Sequence, residues 1–209
     1  MSKPKAKMVP INPNMLGFGQ VLNLNRNQIN NTDSWSSIED GGSPDSLKGR
    51  TKDAYNQMML SYRDAQDDTY TPSALTGFYA YNPRTQTSKT YLASVVKNTY
   101  VNGAERPANG PLSRMHPTLD EAVGRGNAHR TGFACAEMHA LNIMLWDTNP
   151  AGERGVKVEG FMVTHGTPDK EDKGAKGGKM TMVPCLSTAA GMGCGEVLGK
   201  VGVEFDGGN

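Results

Sequence analysis

His129-Arg130-Thr131-Gly132-Phe133-Ala134-Cys135-Ala136-Glu137-Met138-His139-Ala140-Leu141 sets a thiol and a carboxylate two residues apart, just where an apolar run up to Trp146 begins. The spacing predicts a helix over 133–146, with Ala134, Met138, Leu141 and Leu145 on one core-facing stripe. Asn149-Pro150 and Gly152 are the expected stop. Cys135 then stands at a helix N-terminus, where the dipole favours a thiolate. Glu137, two residues on, projects in a different direction, so it reaches the same place only from the side.

Working outward from this helix, the upstream chain reads as a helix over 48–65, with Tyr55, Met58, Met59 and Tyr62 at helical spacing. A strand over 74–81 follows, then a turn at Asn82-Pro83-Arg84-Thr85 and a returning strand over 91–100. Residues 101–131, rich in glycine, proline and arginine, read as a long binding loop. Downstream come a strand over 156–164 and a polar, glycine-rich insertion over 166–179. A short strand over 180–183 leads into Pro184-Cys185. Pro184 suits the first turn of a second helix, which would place Cys185 at another helix start. Val201 to Phe205 is the last strand. This order belongs to the α/β class: a mixed sheet that starts with an antiparallel hairpin, with later strands parallel. Residues 1–47 are poor in large apolar side chains and are expected to form a poorly ordered arm. The domain proper is 48–209.

Composition excludes some classes and leaves others open. The 209 residues carry a formal net charge of +1, so no bulk field argues for a polyanionic partner. Three cysteines cannot all pair as disulfides, which points to metal, catalysis or buried thiols. No stretch approaches the ~18 apolar residues of a membrane helix, so no membrane partner is expected. The positive start Met1-Ser2-Lys3-Pro4-Lys5 has no apolar region behind it, so no standard export signal is read. Cytoplasmic residence and export by other machinery both stay open.

Cys135, Cys185 and Cys194 are all the cysteines there are. Three thiolates can hold a zinc ion and leave a fourth position open for water, the layout of catalytic zinc. Glu137 would then move protons to and from that water. The competing view is that the cysteines are small buried hydrophobes. A second enzymatic reading is a Cys/His hydrolase, with Cys135 as nucleophile and His129 or His165 as base; it leaves Cys185 and Cys194 unexplained. A third is a non-enzymatic, zinc-supported binding module in which Glu137 only complements a helix dipole. His139 reads as a hydrogen-bonded core residue, and His116 has no supporting context.

The order Cys135-Ala136-Glu137, then Pro184-Cys185, then Cys194 resembles the signature of the zinc-dependent nucleobase deaminases. The run from Gly124-Arg125-Gly126-Asn127 through His129 to Leu141 is most similar to YwqJ-like and related deaminase domains of polymorphic toxins. The resemblance covers roughly 48–205. It implies a cytidine-deaminase-like three-layer fold with helices on both faces of the sheet. It also implies Zn2+ held by Cys135, Cys185 and Cys194, with Glu137 as the proton shuttle. A zinc-activated water would attack C4 of cytosine or C6 of adenine in a nucleotide or nucleic acid and release ammonia. Arg125, Asn127 and His129 fall where such enzymes touch substrate. The resemblance further implies a delivered toxin with an immunity protein as partner. One departure stands out: eight residues separate Cys185 from Cys194, where the usual spacing is Cys-x-x-Cys. This makes Cys194 the ligand to check, with His139 or His129 as replacement.

Overall fold

A computed structural model describes residues 9–10, 18–25, 44–64, 72–82, 87–95, 115–124, 135–167, 180–189 and 191–206. The elements, in chain order, are β1 (Val9–Pro10), β2 (Phe18–Asn25), α1 (Pro44–Asp64), β3 (Ala74–Asn82) and β4 (Thr87–Ser94). Then come α2 (Pro117–Val123), α3 (Ala136–Thr148), β5 (Glu159–Gly166), β6 (Met180–Met182), α4 (Cys194–Val201) and β7 (Val203–Phe205). The strands form one mixed sheet in the order β1-β2-β4-β3-β5-β6, with β7 also on β5. β6 pairs with the C-terminal end of β5 and β7 with its N-terminal half, so the two share one edge of β5.

The β3–β4 hairpin is antiparallel as the sequence suggests, with Asn82 opposite Thr87. The returning strand starts earlier than expected, because that register recruits the polar run from Thr87 to Thr90 into the sheet. Ser88 repays it by a 2.7 Å hydroxyl bond with Tyr79. The expectation that the later strands run parallel needs correction. β5 is antiparallel to both β3 and β6, and among the described strand pairs only β5 and β7 are parallel, as expected. The reason lies in the connections: no helix is described between β5 and β6, whereas α4 carries the chain from the cysteine segment into β7. Three elements fall outside the sequence reading: β1 and β2 in the 1–47 arm, and α2. β2, inside the 1–47 arm, pairs with β4 from Gly19↔Ala93 to Asn25↔Thr87. α2 lies inside the expected loop; His116 caps it through Nδ1, which accepts from Thr118 N at 3.2 Å, and Pro117 stands at the first helical position.

Alternation along the strands sorts the core onto two faces. On one face α1 lays Ala54, Tyr55 and Met58 against Leu75 and Leu92, and Leu47 against Val163. α1 comes this close because position 77 is glycine: a Cβ there would overlap the Thr51 hydroxyl. On the other face Phe78, Tyr91, Met162 and Val203 pack with Leu119 of α2, Met138 and Leu141 of α3, and Val197 and Leu198 of α4. Helices therefore cover both faces. α3 is more deeply set than a one-sided stripe implies, since every residue from Ala136 to Asn142 is buried. Such a helix is buried nearly all round, and the polar groups it carries inside, Glu137, His139 and Asn142, need partners. Its far end is tied to β4, where Tyr91 Oη donates to Asp147 Oδ2 at 2.8 Å. Among the described residues no helix is long and apolar enough to cross a membrane.

Candidate metal centre

The C-terminal end of β5, the start of α3 and the start of α4 meet at one point, and the three cysteines are there. Cys135 is the N-cap of α3; its backbone carbonyl begins the helix by accepting from His139 N at 3.0 Å, and its sulfur makes no capping bond. Cys194 is the first residue of α4, after an N-cap at Gly193. Cys185 lies in the irregular segment between β6 and α4. The three Sγ atoms all lie within 4.8 Å of one another, and those of Cys185 and Cys194 are 3.3 Å apart.

The sequence places the second helix start at Pro184, and this is corrected: it is Cys194 that occupies it. Residues 183–187 have no regular structure, and a bridge between Thr188 and Gly191 folds the eight-residue insertion into a tight return. The return is closed by backbone donors. Cys194 N donates to Cys185 Sγ at 3.2 Å and Gly195 N to Cys185 O at 3.3 Å. Gly193 N donates to Ser187 Oγ at 2.9 Å, and Ser187 Oγ donates to Glu196 Oε2 at 2.6 Å. A side chain at Gly193 would overlap the Cys185 carbonyl and the backbone of Leu186 and Ser187, so the closure requires glycine. The long spacing is thus absorbed by a loop that brings Cys194 back onto Cys185.

Glu137 is buried in the first turn of α3 and meets the cluster from the side. Thr164 Oγ1 donates to its Oε1 at 2.9 Å, and Thr76 Oγ1 is 2.7 Å from Thr164 Oγ1. Burial pushes the Glu137 carboxyl above the usual carboxylate range, against hydrogen bonds from its own backbone N–H, from Thr164 and from the Cys194 thiol. The Cys135 thiol is held well above its ordinary range, most by its hydrogen bond with Cys185 and then by burial and the Glu137 charge, opposed by a bond with Cys194. Cys194 is raised by its bonds with Cys135 and Cys185 and by burial.

The donor set fits a soft divalent ion. Sulfurs about 2.3 Å from a tetrahedral zinc stand about 3.8 Å from each other, within the spread seen here. Coordination to a dication deprotonates a thiol outright, so an ion at the centre reverses the mutual protonation of the three sulfurs. The N-termini of α3 and α4 both face the cluster, and their partial positive charge offsets the excess of three thiolates over one dication.

Arg125, Asn127 and His129 lie outside the described residues. His139 is buried; its Nδ1 is 2.9 Å from Ser94 O, and burial lowers its pKa to about 4, against that bond. With Cys194 in the cluster, no replacement ligand is required. His165 points through the sheet away from Cys135: it alternates with Thr164 on β5 and packs edge-on against Tyr55 of α1, with centroids 5.3 Å apart. That placement removes it as a base for Cys135. His116 joins α2 to the end of α3, its Nε2 3.1 Å from Asn149 O and its ring against Trp146. The residues that sequence reasoning missed are Thr76 and Thr164; neither strand singles them out, since each carries other polar side chains and the pairing depends on register.

Comparison with protein-family models, with curated proteins and with solved structures finds no match to this chain.

Proposed function

We propose that this protein is a zinc-dependent hydrolase that deaminates a nucleobase, cytosine or adenine, in a nucleotide or nucleic acid. The observation that carries the reading is the meeting of three sulfurs within 4.8 Å with a buried carboxylate that bonds to one of them. Three ligands rather than four is the composition of a zinc site that keeps a position for water. The path of the chain supports the same reading: α1, a hairpin, α3, β5, the cysteine segment, α4 and β7 follow one another in the order that the resemblance implies, with helices on both faces of the sheet.

In this reading Cys135, Cys185 and Cys194 hold the zinc, which when bound supplies a water activated near neutral pH. Glu137 would take one proton from the attacking water and give it to the ring nitrogen, then take the second from the new hydroxyl and give it to the amine, so that the C–N bond breaks as the C–O bond becomes the carbonyl and ammonia leaves. Its burial favours the protonated form that the delivery step needs. A delivered-toxin role with an immunity partner belongs to the same proposal and rests on the resemblance of the 124–141 run.

The test is ammonia release from cytidine and adenosine nucleotides, single strands and duplexes of DNA and RNA, by the zinc-loaded chain and Glu137→Gln. The variant is expected to keep its zinc and lose about 10²–10⁴-fold in turnover. Equal turnover in the variant would remove Glu137 from the mechanism.

A further inference from the structure

Glu137 reaches the cluster by a route that involves two more side chains. Thr76 and Thr164 are direct cross-strand partners on β3 and β5, both buried and both on the α3 face of the sheet. A threonine hydroxyl has one hydrogen to give. Thr164 gives its hydrogen to Glu137 Oε1 at 2.9 Å, so in the 2.7 Å contact between the two threonines the donor is Thr76. The chain of donation therefore runs one way, from β3 through β5 into a single carboxylate oxygen.

The last torsion of a glutamate is broad and nearly two-fold, so a carboxylate that nothing grips turns easily. A group that must take a proton on one side of a reaction and return it on another needs one oxygen fixed and the other available. Burial makes the grip count, because a hydrogen bond at this depth competes with no water. The rigid part here is the sheet: Thr164 is set by β5, Thr76 by its neighbour β3, and neither lies on a loop.

We infer that Thr164, backed by Thr76, is the positioning residue that pins Glu137 Oε1 and leaves the other carboxylate oxygen for proton exchange at the sulfur cluster. This rests on the deaminase reading for its consequence in turnover, but not for the geometry itself.

The test uses the full zinc-loaded chain and Thr164→Val, Thr164→Ser and Thr76→Val. Infrared difference spectra, each protein minus its own Glu137→Gln form, isolate the Glu137 carboxyl bands. Those bands are expected to shift in Thr164→Val and to return in Thr164→Ser, with a smaller shift of the same sign in Thr76→Val. Bound zinc per chain is expected to be equal in all of them. Ammonia release is expected to fall about 10–100-fold in kcat for Thr164→Val, with KM little changed and with recovery in the serine variant. Glu137 bands that stay put in Thr164→Val overturn the inference. So does a loss of turnover that serine fails to restore and that follows thermal stability instead. If Thr164→Val does not fold, the Thr76→Val bands decide, because that variant leaves the direct bond in place. A wild-type chain inert toward every base refutes the deaminase reading, and the infrared arm still decides whether Thr164 holds Glu137.

Discussion

Gly193 offers a sharp test of how the cysteine loop is built. Its backbone is extended, with φ −84° and ψ 164°, so an alanine meets no torsional objection. The objection is space: a Cβ would overlap the Cys185 carbonyl, the Leu186 carbonyl carbon and the Ser187 nitrogen, all main-chain atoms with no rotamer to swing away. Relief comes only by moving Cys185 away from Cys194, which breaks the bonds from Cys194 N and Gly195 N. Overpacking of this kind costs about 1–3 kcal/mol, which in a domain of this size is a fall of roughly 2–12 °C in Tm. Separation of two ligands should also weaken zinc by about 10–100-fold. Gly199→Ala is the control, within the helix that Gly193 precedes, where a Cβ meets nothing within 4 Å. There the substitution should stabilise by up to about 1 kcal/mol, since alanine is the better helix former. Thermal unfolding with and without zinc, and competition against a chromogenic chelator, read both effects. Equal Tm and equal zinc affinity for Gly193→Ala and wild type would refute this account of the loop.

Acid should weaken the fold through His139. Its folded pKa is lowered to about 4 from an ordinary 6.5, so between those values the unfolded chain binds the extra proton. Stability therefore rises with pH across that window and is lost as pH falls through it, by about 3 kcal/mol in all. Urea melts of wild type and His139→Gln at pH 6.5 and 4 check this; an undiminished slope in the variant would contradict it. Tyr91→Phe should cost about 1 kcal/mol by removing a part-buried hydroxyl bond to Asp147, whose carboxylate keeps its pairing with Lys89. A Tm unchanged in that variant would show the bond to be unimportant.

The sequence was most informative where pattern and chemistry coincide. The 74–82 strand is an apolar, aromatic run, and α3 carries apolar residues at helical spacing up to an Asn-Pro stop, so both elements were legible. The approach of Cys135 and Glu137 to one another followed from their places in the first turn of that helix. The rest depended on tertiary contacts. Thr87 to Thr90 is polar and lies ahead of the strand read from the sequence, yet hairpin register makes it strand. α2 is capped by a histidine ring, which no capping rule lists among its usual residues. The placement of Cys194 depended on a loop closed by three backbone donors and one obligatory glycine, and spacing alone argued against it. Thr164 and Thr76 were invisible because their pairing is a matter of register between strands 88 residues apart in the chain.

The most direct test of the central claim is the metal content of the purified full chain, by elemental mass spectrometry, on wild type and Cys194→Ala together. One zinc per chain is expected in the wild type, lost or much more easily stripped in the variant. A wild-type chain that carries no zinc when purified without chelators would contradict the metal centre, and with it the proposed reaction.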